Sequence, residues 1–251
     1  MELIRREDHD RIALLKLSRS VTNALDPPLI HELTEKVQES GDDPEVHGVV
    51  LNSSSDKFFS IGFDIPELYG LSRQEFTAFF KAFNRLCMLL YTLPKPTVVA
   101  IPGHAIAGGC ILALCCHYRF IAEGRKLMGL NEVKLGVPVP YPADRILRQV
   151  VGARTARHIM DTGEFYEPEA LRQMGMVDQV LPLEQVLQKA IEKAESLGAF
   201  SPSAFMMIKR NRVEDVEAEV LQRSAEKERL FVEGWYSDET RKLLLKAMKK
   251  F

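Results

Sequence analysis

Apolar and polar positions follow two periods along the chain, and the switches between them lay out the expected elements. Residues 11–17 carry Ile12, Leu14, Leu15 and Leu17 and read as a strand. Asp26-Pro27-Pro28 then reads as a helix start, an N-cap candidate followed by prolines tolerated in the first turn, with Leu29, Leu33 and Val37 behind it at helical spacing. A second strand is expected over 46–51, entered through Asp42-Asp43-Pro44, and this β-α-β order favours a parallel sheet. Between 74 and 93, Phe76, Phe79, Phe80, Phe83, Leu86 and Leu90 mark a long amphipathic helix. Their spacing assigns the phenylalanines to a buried face rather than to a ligand box.

Pro94-Lys95-Pro96 ends that helix. Residues 97–101 and 118–122 read as strands, separated by a small-residue turn over 103–109 and a short buried helix over 110–117. Residues 127–133 are apolar around one acid, Glu132, and the three prolines within 136–142 exclude regular helix or central strand there. Asp144 reads as an N-cap before Arg145-Ile146-Leu147, or as an acid beside the proline turn. Beyond it the pattern is helical, with helices expected over 183–197, 202–212, 214–230 and 238–248. The organisation is an α/β core over 1–195 and a helical region over 196–251, of the kind that packs on its own core or on a neighbouring subunit.

Composition narrows the function classes. Lys and Arg total 33 against 35 Asp and Glu, a net charge of -2, so the whole surface gives no sign of nucleic-acid binding. The first nine residues lack an apolar signal region and are too acidic for a transit peptide, and no stretch is long enough to span a bilayer. Lys249-Lys250-Phe251 is not a simple peroxisomal address, and a cytoplasmic protein is expected. Cys87, Cys110, Cys115 and Cys116 form no CxxC pair; they read as buried thiols, and no metal site is expected.

Three features carry candidate chemistry. Ser60-Ile61-Gly62-Phe63-Asp64 follows a strand and a polar loop, and Ala107-Gly108-Gly109 lies between a strand and a helix. Glycine lets a backbone approach a ligand, and a helix N-terminus offers unpaired N–H groups. Two such turns facing one another can hold an oxyanion; each alone is also an ordinary turn. Neither matches a phosphate-loop or dinucleotide fingerprint. Glu132, among apolar residues, is either a surface acid at a strand end or a desolvated carboxylate with a pKa raised toward the range useful for proton transfer. His104 reads as a structural turn residue. Lys209, Lys246, Lys249 and Lys250 are open to two readings, phosphate partners or solvated helix faces.

Taken in order, these residues resemble the crotonase (enoyl-CoA hydratase/isomerase) superfamily. Phe58-Phe59-Ser60-Ile61-Gly62-Phe63-Asp64-Ile65 is similar to the family's F-S-x-G-x-D-[LI] segment, and residues 96–110 to its K-P-x-[IV]-A-x-[IV]-x-G-x-[AC]-x-G-G-G region. Gly152-Ala153-Arg154, Thr162-Gly163 and Gly175-Met176-Val177 match downstream landmarks, so the resemblance covers nearly the whole chain. It implies a spiral of ββα repeats with C-terminal helices that build homotrimers or dimers of trimers. It implies an acyl-CoA thioester as substrate, with no cofactor, its carbonyl held between the Phe63 and Gly108 N–H groups. Residues Ser60, Ile61, Gly62, Phe63 and Asp64 would line the CoA site, and Glu132 would be catalytic.

Hydratases of the superfamily carry a second glutamate in G-G-G-C-E, where this chain has Ile111 in Ala107-Gly108-Gly109-Cys110-Ile111. The chain therefore looks like the single-glutamate 3,2-enoyl-CoA isomerases, in which one carboxylate acts as base and then as acid. The alternatives are a hydratase or another acyl-CoA reaction on the same scaffold, and a non-catalytic subunit that binds an acyl-CoA or a partner.

Overall fold

The computed structural model describes residues 2–249. Met1, Lys250 and Phe251 lie outside the described residues, and with them the readings placed on the last two. One sheet has the order β1 (Ile4–His9), β2 (Ile12–Leu17), β3 (Gly48–Ser53), β5 (Thr97–Ile101), β7 (Tyr118–Ala122) and β10 (Gln179–Leu181). Its pairs are parallel except β1 with β2. A smaller sheet has the order β4 (Phe58–Ser60), β6 (His104–Ile106), β8 (Met128–Gly129) and β9 (Phe165–Tyr166).

The chain visits the two sheets in turn and then forms a helix. β3 and β4 precede α2 (Ile65–Tyr69) and α3 (Arg73–Thr92), β5 and β6 precede α4 (Gly108–Leu114), and β7 and β8 precede a 3-10 turn (Glu132–Leu135) and α5 (Tyr141–Thr162), after which α6 (Pro168–Gln173) leads from β9 to β10. This is a spiral of ββα repeats. Both faces of the large sheet are covered. Ile12, Leu14, Val50, Val98, Ala100 and Phe120 pack on Val186, Ala190, Ile191 and Ala194 of α7 (Leu183–Gly198), and the opposite face meets the main core. That two-sided burial is why β3 and β5 read as continuous apolar runs rather than alternating ones.

Local signals account for the helix boundaries. In α1 (Pro27–Asp42) the Asp26 carboxylate accepts from Leu29 N–H at 2.8 Å. A reciprocal capping box opens α3: Ser72 N–H donates to Glu75 at 2.8 Å and Glu75 N–H to the Ser72 hydroxyl at 3.3 Å. The α3 rings divide by face. Phe76 stacks on Trp235 at 4.3 Å and Phe80 on Phe231 at 3.9 Å, both from α8 (Pro202–Trp235). Phe79 and Phe83 meet Phe63 edge-on at 5.0 and 4.9 Å.

Several expectations change. The charged stretch Ile4–His9 is an edge strand, where polar side chains are an asset because they discourage pairing with another chain. The two helices expected over 202–212 and 214–230 are one helix of 34 residues, because the buried stripe Lys209, Val213, Val216 and Val220 runs through the junction without a breaker. Asp144 is not an N-cap: α5 starts at Tyr141, and the Asp144 carboxylate takes Arg148 Nε at 2.6 Å one turn on. Gly152, at φ 78°, kinks that helix. α9 (Asp238–Met248) has the expected bounds. All four cysteines are free and buried. His104 is structural, its Nδ1 accepting from Leu127 N–H at 2.9 Å.

Candidate active site

Two loops leave the small sheet and meet. The first runs from β4 into α2. The Ser60 hydroxyl donates to Asn23 C=O at 2.8 Å and accepts from Gly62 N–H at 3.1 Å. Leu25 N–H donates to Gly62 C=O at 2.7 Å, and Asp64 N–H donates to Leu25 C=O at 2.9 Å. Leu25 thus takes both neighbours of Phe63 in a parallel bridge, which turns the Phe63 N–H away from Leu25. The Asp64 carboxylate caps α2 by accepting from Glu67 N–H at 3.3 Å and pairs with Arg19 at 2.8 Å. Arg19 also holds Asp26 at 2.6 Å, so one guanidinium ties the start of α1 to this loop.

The second loop runs from β6 into α4. Ala107, at φ 47° and ψ -116°, sits in a region that a residue with a Cβ occupies at a cost of about 1–3 kcal/mol. Its N–H donates to Gly129 C=O at 2.9 Å, fixing the turn against β8. Gly108 is the first residue of α4. Neither its N–H nor that of Phe63 has an acceptor among the described residues.

Close packing of backbone on backbone explains the glycines. A Cβ on Gly62, at φ +90°, would stand 2.9 Å from Ile106 O and 3.0 Å from Gly108 N. One on Gly108 would stand 2.9 Å from Leu25 Cδ1 and 3.3 Å from Phe63 Cδ1, and one on Gly109 would collide with Ser60 O. The two candidate N–H donors therefore belong to backbone segments in direct contact.

Glu132 arrives from the neighbouring strand. β8 pairs parallel with β6 in the register Ile106↔Gly129, which carries the 3-10 turn beginning at Glu132 alongside the start of α4. Glu132 is 6% exposed, and its Oε2 has no partner among the described residues. Burial lifts its pKa to about 7, partly offset by its own backbone N–H. Its charge is felt in the first turn of α4: burial, then Glu132, pushes the Cys110 thiol well above its usual range. Ile111, the next residue of α4, is 1% exposed.

Of the residues singled out in the sequence, Gly62, Phe63 and Gly108 come together, with Glu132 beside the helix that Gly108 opens. Ser60 is fully buried and its hydroxyl is spent inside the chain, so what it contributes is the shape of the loop. Ile61 and Asp64 are half-buried, and the Asp64 carboxylate is already engaged. Lys209 fits neither reading offered for it, being 2% exposed. The sequence reading missed Arg19, Asn23 and Asn131, and the strained backbone of Ala107 within the turn it had singled out. Asn23, at φ 44°, donates to Ser53 Oγ at 2.9 Å and to Phe59 C=O at 3.2 Å, stapling the first loop from beneath. Asn131 Oδ1, from the residue before Glu132, is buried with no partner among the described residues. An asparagine before the catalytic-candidate acid was the available signal; nothing in the sequence marked Arg19.

A ββα spiral with two apposed backbone loops and one desolvated acid at their edge defines a protein of the crotonase fold. The sequence pattern of the enoyl-CoA hydratase/isomerase family matches residues 7–251, and the chain belongs to that family. It is 34% identical over 189 residues to enoyl-CoA delta isomerase 1, mitochondrial, of Mus musculus, covering 75% of this chain and 65% of that protein. It is 30% identical over 182 residues to the crotonyl-CoA hydratase of Syntrophomonas wolfei, covering 72% of this chain and 70% of that one. The matched stretch thus spans less than two thirds of the mouse relative's length. The crystal structure of human mitochondrial delta3-delta2-enoyl-CoA isomerase superposes with a TM-score of 0.95 at 28% identity, covering 99% of this chain and 97% of that chain. No helix among the described residues is long and apolar enough to cross a membrane.

Proposed function

We propose that the protein is an enoyl-CoA isomerase that shifts the double bond of a 3-enoyl-CoA to the 2-position. The observation that carries the reading is one buried carboxylate with its pKa raised to about 7, alongside the first turn of α4, whose opening residue Gly108 and the apposed Phe63 have N–H groups without an acceptor among the described residues. The thioester oxygen takes hydrogen bonds from Phe63 N–H and Gly108 N–H. Ionised Glu132 removes a proton from C2, and the electron pair left behind delocalises as a dienolate with its charge on that oxygen. The protonated Glu132 then returns the proton to C4, the C3–C4 double bond becomes C2–C3, and the carboxylate is regenerated. A pKa near neutrality suits a group that must act in both directions. Removing one such oxyanion donor costs about 3–4 kcal/mol in other enzymes.

Ile111 separates this reading from hydration. The position that would bring a second acid to α4 is apolar and buried, so no side chain there can activate a water. Purified protein given 3-hexenoyl-CoA is expected to form 2-hexenoyl-CoA, with no 3-hydroxy product from either substrate. A hydroxylated product as the main one sinks the isomerase reading in favour of a hydratase. Acyl-CoA binding without turnover does so in favour of a non-catalytic subunit.

The same reading includes assembly as a homotrimer or dimer of trimers. Its support is a set of exposed apolar side chains before and within the first turns of α8, Phe200, Met207 and Ile208, which are 62%, 64% and 68% exposed. Sedimentation equilibrium is expected to return the mass of three or six chains, and Ile208→Glu is expected to lower it. A wild-type mass of one chain rejects the assembly.

A further inference from the structure

The buried face of α8 includes one residue that does not belong in a core. Lys209 is 2% exposed, and its ammonium nitrogen has no partner among the described residues. Among the other buried polar atoms in the same condition are His117 Nε2 and the Tyr91 hydroxyl. The His117 ring lies against Phe205 of α8, centroids 5.4 Å apart. Phe205 is one turn before Lys209, and helical side chains lean toward the helix N-terminus, so Lys209 extends over that ring.

The tautomer of His117 follows from its other nitrogen. Thr97 N–H donates to Nδ1 at 3.1 Å, which makes Nδ1 the acceptor and leaves the proton of the neutral ring on Nε2. The ring stays neutral, because burial and then the charges of Lys209, Arg212 and Arg119 push its pKa down to about 2. His117 Nε2 is therefore a donor, and Lys209 when protonated is a donor only; burial and then Arg212 push its pKa well below the usual lysine range, so it keeps that charge only if a negative charge joins it. Arg212, less than one turn beyond Lys209, places a second positive charge near both, and it acts on Tyr91 as well. The other group acting on Lys209 is the Cys116 thiol, itself held neutral by burial, and among the described residues no Asp or Glu acts on it. Donors and cations converge with no anionic partner among the described residues, only the neutral Tyr91 hydroxyl and Cys116 sulfur nearby, the reverse of a buried ion pair and a costly arrangement unless a negative charge joins it.

We propose that Lys209 Nζ and His117 Nε2–H, with Arg212 at the rim, hold one small monovalent anion of halide size between α8 and the Thr97–His117 end of the large sheet. The burial of Lys209 by its own chain excludes a nucleotide phosphate or a side chain of another subunit as the occupant. The anion fastens the first half of α8, and with it the exposed side chains of Met207 and Ile208, to the core. It takes no part in the isomerase chemistry, so the site stands or falls independently of that reading.

The test compares thermal unfolding of the whole protein in sodium chloride and in sodium gluconate at equal ionic strength. Above the dissociation constant, Tm is expected to rise by about 3–6 °C for each tenfold increase in chloride and to stay flat in gluconate. Lys209→Met is expected to erase the difference between the salts. Should that variant fail to fold, crystals of the wild-type protein soaked in bromide decide: an anomalous peak is expected within hydrogen-bond distance of both Lys209 Nζ and His117 Nε2. Equal melting curves in the two salts, a chloride effect that survives in Lys209→Met, or a bromide map without that peak overturns the site.

Discussion

Glu132→Gln is expected to lower turnover of 3-hexenoyl-CoA by about 10²–10⁴-fold, the usual contribution of a positioned acid–base group. Glutamine keeps the volume and loses the exchangeable proton, so KM is expected to change far less than kcat. In the wild type, kcat/KM is expected to rise with pH through about 7, because the carboxylate must be ionised to take the first proton. A variant that keeps wild-type turnover removes Glu132 from the mechanism.

The same substitution has a second expected result, in stability. The folded-state pKa of Glu132 lies above its ordinary value of 4.5, so between pH 4.5 and about 7 the folded protein binds a proton that the unfolded chain has released. Stability from this group is therefore present below the unfolded pKa and is lost as pH rises through the folded one, by an amount on the order of 3 kcal/mol. Urea titrations at pH 5 and pH 8 are expected to differ less in Glu132→Gln than in the wild type. An unchanged difference contradicts the desolvated state of this carboxyl.

The second large effect is expected at Gly62, which never touches the reacting carbons. Gly62→Ala adds a Cβ at a positive φ, 2.9 Å from Ile106 O and 3.0 Å from Gly108 N. The two loops must separate or twist, and with them the N–H groups of Phe63 and Gly108. The expected result is a loss of about 10²–10³-fold in kcat, the size seen when one oxyanion donor is removed. Far-ultraviolet circular dichroism is expected to stay native, since the contact lies between loops. Native turnover in a folded Gly62→Ala protein excludes these two amides as the oxyanion hole.

The central strands and long helices were legible in the sequence because burial wrote them there. β5 and β7 stand where the apolar runs placed them, and the Phe76-to-Leu90 stripe is buried as its spacing required. β1 was hidden because an edge strand is selected for charge, and β9 and β10 because two or three residues carry no period. The apposed glycine turns and the acid were visible as residue types, but their meeting was not. It depends on the pairing of β6 with β8 and on the Leu25 bridge to Phe63, contacts between segments far apart in the chain. Arg19 and Asn23 were invisible for the same reason, since each acts only through partners from other segments.

Helix α3 is a beam loaded on two sides. The rings of Phe79 and Phe83 brace the side chain of Phe63, while those of Phe76 and Phe80 rest on Trp235 and Phe231. Helix α3 thus joins two aromatic residues of α8 to the residue proposed to supply an oxyanion donor. The outer helix and the candidate oxyanion loop are parts of one continuous aromatic array, so a cavity opened at Trp235 or Phe231 is a packing defect two rings away from Phe63.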